Sequence, residues 1–299
     1  MLTNTPLRYP GGKTVITPFF EEYIHANNMN NVTYVEPYAG GAGAALQLLF
    51  RNSVSNIIIN DASVPVYSFW NSLVNYSDDF LALFDETPVT LQEWNNQKQI
   101  FKSHNTQFSV ELGFATFFLN RCNRSGILNA GPIGGNSEEK QILAVSKIDA
   151  RYKKEKLRKK IEKIIEKKEQ IRIFNLDALE FLTFINEQNE LIDNIFVYLD
   201  PPYYDKGSKL YLNFYEHQDH CILANYLINT FAPRWILSYD NVQAIRDLYQ
   251  DFSLYSFELP YSAQDRKKGS ELILHSHNSV FPEVLQINRC GDNIIIKPL

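Results

Sequence analysis

Cysteine is scarce in this sequence, and its placement excludes two common ways of holding a fold together. Cys122, Cys221 and Cys290 are odd in number, far apart and form no Cys-x-x-Cys pair. That pattern supports neither a zinc ribbon nor a disulfide framework, and it fits a reduced, cytoplasmic setting. Long apolar runs are missing too: none approaches the ~20 residues needed to cross a bilayer. Met1-Leu2-Thr3-Asn4-Thr5-Pro6 lacks the basic stretch and apolar core of a signal peptide, so no membrane insertion is expected. Positive charge is in overall deficit, with 29 Lys+Arg against 34 Asp+Glu and a net charge of −5. Taken alone, that balance disfavours nucleic acid as a partner. The average hides an asymmetry, however. Arg151 to Arg172 carries eleven Lys/Arg against four Glu, a local +7 that leaves −12 on the remainder. With 299 residues, 44% of them hydrophobic, the chain is long enough to bury a substantial core without metal or disulfides.

What is present is a series of short apolar runs ending in acidic or glycine-rich turns. Thr33-Tyr34-Val35-Glu36 leads into Pro37, and Asn56 to Asn60 ends at Asp61. Ile171 to Phe174 ends near Asp177, Ile195 to Leu199 ends at Asp200, and Arg234 to Ser238 ends at Tyr239-Asp240. Such runs suit strands buried on both faces of a parallel sheet. Helical patterns between them, at Gly43 to Phe50 and Asp219 to Phe231, make the fold class α/β. The alternation breaks once, where about 110 residues separate Asp61 from Ile171. That stretch reads as helices at Val66 to Phe84, Leu91 to Phe101 and Val110 to Leu119, then a Gly/Asn/Arg-rich loop at Asn120 to Asn136. A basic helix from Arg151 to Arg172 follows, with Leu157, Ile161, Ile164 and Ile165 at helical spacing. The sequence therefore predicts one α/β domain, residues 1–61 and 171–299, interrupted by a mainly helical lobe, residues 62–170. The tail beyond Ser276, with Ile287 and Ile294-Ile295-Ile296, reads as added strand material.

Candidate functional residues fall at the carboxyl ends of these strands, where open α/β sheets bind ligands. In Glu36-Pro37-Tyr38-Ala39-Gly40-Gly41-Ala42-Gly43 the glycines permit a tight turn and close approach to a ligand, though they also suit a plain strand-to-helix turn. Leu46 stands where a dinucleotide fingerprint needs Gly or Ala, which weighs against NAD. Asp61 carries an acceptor-only carboxylate, suited to ribose hydroxyls or to capping a helix. Gly12-Lys13-Thr14 mimics the end of a phosphate loop, but Leu7 occupies the required glycine position and no strand precedes it. His217-x-x-His220-Cys221 and His275-x-His277 have no further ligands at metal-site spacing, and no metal is expected. The sharpest signal is Asp200-Pro201-Pro202-Tyr203. Two prolines fix a rigid turn and leave its carbonyls free to accept. An acidic oxygen and a carbonyl can then take both hydrogens of one exocyclic amine, while Tyr203 offers a flat face to a base.

In combination these segments resemble the Dam-type DNA N6-adenine methyltransferases (D12 class, alpha group). Leu7 to Lys13, Val35 to Gly43, Asp200 to Tyr203 and the basic turn Arg266-Lys267-Lys268-Gly269-Ser270-Glu271-Leu272 carry the resemblance, which spans Leu7 to about Ile273. It implies a Rossmann-like methyltransferase fold with a mixed sheet and an inserted DNA-recognition lobe, and S-adenosylmethionine as donor. The implied donor contacts are Tyr9, Gly12, Lys13, Glu36, Pro37, Gly40, Gly41, Gly43, Asp61, Asp177 and Asp200. Among these, Tyr9 and Lys13 match contacts near the methionine end, Asp61 the ribose-binding acid, and Asp177 a contact to the adenine ring. Asp200, Pro201, Pro202 and Tyr203 are implied as catalytic, acting on an adenine flipped out of the duplex.

The resemblance also implies that the loop after Leu119-Asn120-Arg121 reads double-stranded DNA, through Asn120, Arg121, Asn123, Arg124 and Ser125. Asn123, Arg124 and Ser125 replace aromatic-glycine residues of the family pattern, so the resemblance leaves open whether the site read is GATC. Arg266, Lys267 and Lys268 are expected phosphate contacts. The Arg151–Arg172 segment suits phosphate too, but its interleaved Glu155, Glu162, Glu166 and Glu169 equally suit a solvated, ion-paired face. The expected enzyme is a monomer in the cytoplasm of a bacterium or phage-infected host, with a cognate restriction endonuclease as a possible partner. Cytosine N4 or an RNA amine as acceptor, or a catalytically silent DNA-binding regulator, are the alternatives.

Overall fold

The computed structural model describes residues 4–9, 12–103, 106–188, 193–204, 215–259, 269–282, 286–289 and 292–299. The chain enters through a short helical turn, Lys13–Ile16, and α1 (Thr17–Ala26). It then builds the sheet from β1 (Thr33–Glu36), β2 (Asn56–Asn60), β3 (Ile171–Phe174), β4 (Ile195–Leu199), β5 (Arg234–Asp240), β6 (Tyr255–Leu259), β7 (Gly269–His275) and β10 (Lys297–Pro298). Strand order is β10-β6-β7-β5-β4-β1-β2-β3. The pairs from β5 through β3 are parallel, whereas β7 runs antiparallel between β5 and β6. This is the mixed sheet that the resemblance implies. The five runs singled out in the sequence are its parallel core. The tail supplies β10 on the edge of the sheet and a separate antiparallel pair, β8 (Gln286–Arg289) with β9 (Asp292–Ile295).

Strand side chains alternate between two apolar layers, as a pleated strand covered on both faces requires. Tyr34, Phe196 and Tyr198 face one layer with Phe19, Phe20 and Tyr23 of α1. Val35, Ile195, Val197 and Leu199 face the other, packed with Phe181, Leu182 and Ile185 of α9 (Ala178–Asn186) and Leu223 and Leu227 of α10 (His217–Asn229). The remaining sheet-associated helices are α2 (Gly43–Phe50) after β1 and α11 (Gln243–Leu248) after β5.

Between β2 and β3 lie α3 (Val64–Asn75), α4 (Ser77–Glu86), α5 (Leu91–Ser103), α6 (Val110–Cys122), α7 (Glu138–Leu143) and α8 (Lys154–Ile165). α6 is buried nearly all round, with Phe114, Phe117, Phe118 and Leu119 in the same layer as α1. α3 crosses it so closely that a Cβ on Gly113 would collide with the Ser68 carbonyl oxygen and sit 2.5 Å from Ser72 Oγ. Three expectations need correcting. The Val66–Phe84 helix breaks at Tyr76, so two helices form. α6 continues through Cys122, which puts Asn120 and Arg121 on its last turn instead of in the loop. The Arg151–Arg172 stretch is not one helix: Arg151 ends a short turn, α8 occupies Lys154–Ile165, and β3 begins at Ile171. Of the four apolar residues at helical spacing in α8, Leu157, Ile161 and Ile164 are buried and Ile165 is partly buried. Among the described residues no helix is long and apolar enough to cross a membrane.

Candidate active site

Asp200 leaves the carboxyl end of β4, the central strand that pairs with β1 and β5. Its carboxylate accepts two hydrogen bonds from Lys13 Nζ, both at 2.8 Å, and one at 3.0 Å from Ser238 Oγ on β5. The hydroxyls of Ser238 and Tyr198 are 2.6 Å apart. Lys13 Nζ also lies 3.3 Å from Glu271 Oε2, and Tyr203 donates its hydroxyl to Glu271 Oε1 at 2.6 Å. One ammonium is therefore shared by two carboxylates. Burial alone would lower the Lys13 ammonium, but Asp200 and Glu271 hold it well above the ordinary lysine value. Burial pushes the Asp200 carboxyl up, against the opposing pull of Lys13.

The second part of the site is the turn after β1. Gly40 adopts φ +46°, and a Cβ there would fall 2.6 Å from the Tyr9 ring; the next non-glycine residue, Ala42, is also left-handed, at φ 44°. Asp61 closes the turn: Oδ2 accepts from Gly40 N at 2.8 Å and Oδ1 from Ser63 N at 2.9 Å. Burial raises its carboxyl to about 6 against those two bonds. Trp70 of α3 donates Nε1 to the Gly40 carbonyl at 2.9 Å. Glu36 is buried under the turn, accepting from Tyr34 OH and Ala45 N, and burial pushes it to about 8. Pro37 contributes its carbonyl to Asn60 Nδ2. The close approaches read from the glycines are made to the chain's own N-terminal segment: Tyr9 covers Gly40 and Gly41, and Thr14 abuts Gly43.

Other predicted residues are more dispersed. Gly12 is exposed, just before Lys13. Asp177 is exposed and caps α9 by accepting from Leu179 N. Pro201, Pro202 and Tyr203 are buried; Lys13 Nζ lies 5.5 Å from the Tyr203 ring centre, over one face. Arg266, Lys267 and Lys268 fall outside the described residues.

On the last turn of α6 and in the loop after it, the predicted readers divide by burial. Asn120 is buried, accepting from Arg8 N at 2.7 Å and donating to Arg8 O and Gly126 O. Asn123 is also buried, accepting from Trp94 Nε1 and donating to the Ile127 and Leu128 carbonyls. Arg121 donates to the Arg151 and Pro6 carbonyls, and burial lowers its guanidinium to about 10. These three side chains are turned into the protein, where they shape the loop. Arg124 and Ser125 are exposed. Arg124 lines a cleft of about 620 Å³ with Trp94, Asn95 and Lys98 of α5 and Asn136 and Lys140 beyond the loop. On α8, Arg158 pairs with Asp85 and Glu162, Lys160 donates to the Thr5 carbonyl and Lys154 to the Asp85 carbonyl. Much of the basic helix is thus engaged within the protein.

Sequence reasoning missed Glu271, Ser238, Tyr198, Arg8 and Trp70 as members of this constellation. Glu271 stood within the recognised basic turn, and a carboxylate directly before the apolar run Leu272-Ile273-Leu274 was the available signal.

A lysine-bridged carboxylate thus ends a central parallel strand, beside a glycine turn closed by an acid after the next strand. The sequence matches the D12 class N6 adenine-specific DNA methyltransferase family over residues 9–262, and the chain belongs to that family. It is a site-specific DNA methyltransferase acting on adenine N6; a methyl donor and DNA are its substrates. Among solved structures it is similar to the rRNA methyltransferase aviRa from Streptomyces viridochromogenes, at 11% identity and a TM-score of 0.39, over 90% of this chain and 86% of that one. No curated protein matches the sequence.

Proposed function

We propose that S-adenosylmethionine is the donor and that Asp200 and the Pro201 carbonyl accept the two hydrogens of the target amine. The carrying observation is accessibility. Side-chain exposure is 3% for Lys13 and 2% for Glu271 but 23% for Asp200, so Asp200 is the member of the cluster that a substrate reaches. Two acceptors on one amine draw its nitrogen from planar toward tetrahedral and aim the lone pair, which is otherwise delocalised into the ring. Ser238 and Lys13 hold the carboxylate in one orientation, so alignment and fixed charges supply the acceleration. When bound, S-adenosylmethionine supplies an electrophilic methyl group on a sulfonium.

The residues present fit that donor. The Asp61 carboxylate has lone pairs beyond those used by Gly40 and Ser63, which suit ribose hydroxyls. Of the other proposed donor contacts, Glu36, Pro37, Gly40, Gly41 and Gly43 belong to β1 and the turn after it, Tyr9 covers that turn, Lys13 reaches Asp200 with Gly12 exposed just before it, and Asp177 follows β3, the strand next to β2. A base in a duplex does not reach Asp200, so the adenine is flipped out, with Tyr203 forming a wall of its pocket. The lobe, residues 62–170, reads the duplex with Arg124 and Ser125, and its cleft adds Lys98 and Lys140. The enzyme acts as a monomer.

The test is expression in a methylation-free bacterial host, followed by single-molecule sequencing of its DNA. N6-methyladenine at one short motif, absent with Asp200→Ala, is the expected result. An unmodified genome from folded wild-type protein that binds both donor and DNA would overturn the mechanism.

A further inference from the structure

Four cations gather beside the N-terminal segment, and their bonds are all to neutral carbonyls. Arg121, on the last turn of α6, donates to the Arg151 and Pro6 carbonyls. Lys160 of α8 donates to the adjoining Thr5 carbonyl at 2.9 Å, and Arg8 to the Asn123 carbonyl at 2.9 Å. Arg151 is exposed, and among the described residues its side chain makes no hydrogen bond or ion pair. Nor does any described carboxylate pair with one of the four; Asp149, on the same short turn as Arg151, pairs with none of them. Cys122, next to Arg121, is a neutral thiol that burial raises to about 12. Carbonyls satisfy N–H groups but cancel no charge. Burial lowers Arg8, Arg121 and Lys160, Arg121 to about 10. Neighbouring cations push the same way: Arg151 on Arg8, Arg8 and Arg151 on Arg121, and Arg121 on Lys160. Like charges held together cost stability, and Arg151 makes no bond that a neutral residue would lose.

We propose that Arg8, Arg121, Arg151 and Lys160 form a seat for one phosphate of the DNA backbone. Guanidinium groups suit that ligand because their paired N–H groups match phosphate oxygens. Arg121 has hydrogens left to give: each terminal nitrogen carries two and spends one on a carbonyl, and Arg151 has spent none. The place of the cluster in the chain selects DNA over a free anion. Arg8 precedes Tyr9, which covers the glycine turn, and Asn123, whose carbonyl Arg8 holds, precedes Arg124. The cluster thus joins the segment that carries Lys13 to Asp200 with the loop proposed to read the duplex, and a strand engaged by both has its backbone between them.

The inference rests on the reading of the lobe as the DNA-binding part, and its readout is binding alone, so a failure of the Asp200 chemistry leaves it standing. Fluorescence anisotropy on the full chain measures affinity for a short random-sequence duplex across a range of salt. Arg151→Gln should weaken binding about tenfold at low salt and shrink the slope of log affinity against log salt by about 1. Arg151→Lys keeps the charge and should keep the slope. Lys297→Gln, which removes an exposed charge from β10 at the edge of the sheet, should leave the slope alone. The thermal midpoint of Arg151→Gln should equal or exceed that of wild type, because the charge removed is a repelled one. A lower midpoint makes Arg151 structural, and Lys160→Gln then takes its place with the same expected slope. An unchanged slope, or an equal loss in Lys297→Gln, overturns the inference. Inorganic phosphate tests the other source of the same chemistry. If phosphate raises the wild-type midpoint above that in chloride at equal ionic strength, and Arg151→Gln loses this rise yet binds DNA as wild type does, the seat takes a free anion and the DNA assignment is overturned. Wild type that binds no duplex would instead remove the reading of the lobe.

Discussion

The side-chain amide of Asn120 grips the main chain of Arg8 from both sides, accepting from its N–H at 2.7 Å and donating to its carbonyl at 2.8 Å. The same amide holds the Gly126 carbonyl, and the Arg8 guanidinium donates back to the Asn123 carbonyl. The loop after α6 is thereby tied to the segment that carries Tyr9 over the glycine turn and Lys13 to Asp200. Asn120→Ala removes three largely buried hydrogen bonds, each worth about 1 kcal/mol net and more where a partner is left unsatisfied. The expected loss is about 3 kcal/mol, read as a lower urea midpoint with an unchanged slope. A loss below about 0.5 kcal/mol would show that the clasp is incidental.

Stability should fall with rising pH because of Glu36. Below about 4.5 its carboxyl is protonated in folded and unfolded chains alike; between there and about 8 the unfolded chain ionises while the folded one keeps its proton. The unfolded state then binds fewer protons, so stability declines across that window and levels off above it. Asp61, raised to about 6, adds a smaller decline of the same sign. Glu36→Gln keeps an acceptor for Tyr34 and Ala45 but cannot ionise. It should flatten much of the decline, by on the order of a few kcal/mol at pH 8.5. Parallel stability–pH curves for wild type and variant would contradict the buried, protonated Glu36.

Asp200→Asn preserves size while replacing one acceptor oxygen by a donor that faces the Lys13 ammonium. Methyl transfer to DNA should fall by roughly 10²–10⁴-fold, with donor binding by calorimetry retained. Wild-type turnover in this variant would remove Asp200 from the chemistry.

Lys98→Gln with Lys140→Gln tests the cleft beside Arg124. If both side chains neutralise phosphates, the slope of log affinity for DNA against log salt should shrink by about 2, one unit for each phosphate that is no longer neutralised. Arg124→Ala should alter the sequence profile of methylation, a different readout from the salt slope. An unchanged slope would place the DNA backbone elsewhere.

At the crossing of α3 and α6, Gly113→Ala forces a methyl group into the Ser68 carbonyl. A cost of about 1–3 kcal/mol is expected from the backbone shift, seen as a lower thermal midpoint while site residues are untouched.

The parallel strands and the carboxyl-end placement of Asp61 and Asp200 were legible because apolar runs and the turns that end them are local in sequence. The breaks were less so. Tyr76 ends α3 by local geometry in a stretch whose hydrophobic spacing continues straight through it. The backbone bonds of Asn120 were not legible for a physical reason: an Asn that binds bases and an Asn that binds backbone look identical until a partner 112 residues away is brought beside it. Glu271 was hidden likewise, since its significance comes from Lys13 and Asp200, on elements remote in the chain.

The bond from Trp70 to the Gly40 carbonyl bears on how such enzymes exchange specificities. Trp70 belongs to the first of the helices between β2 and β3, yet it braces the turn beside Asp61. A chimera that imports a foreign recognition segment should therefore keep α3 native and splice beyond it. A graft cut directly after Asp61 would bring in new base contacts and strip the turn of its brace in one stroke. If α5 and the loop after α6 read the target as proposed, divergence in target sequence is freest there, while α3 is bound to change in step with the sheet.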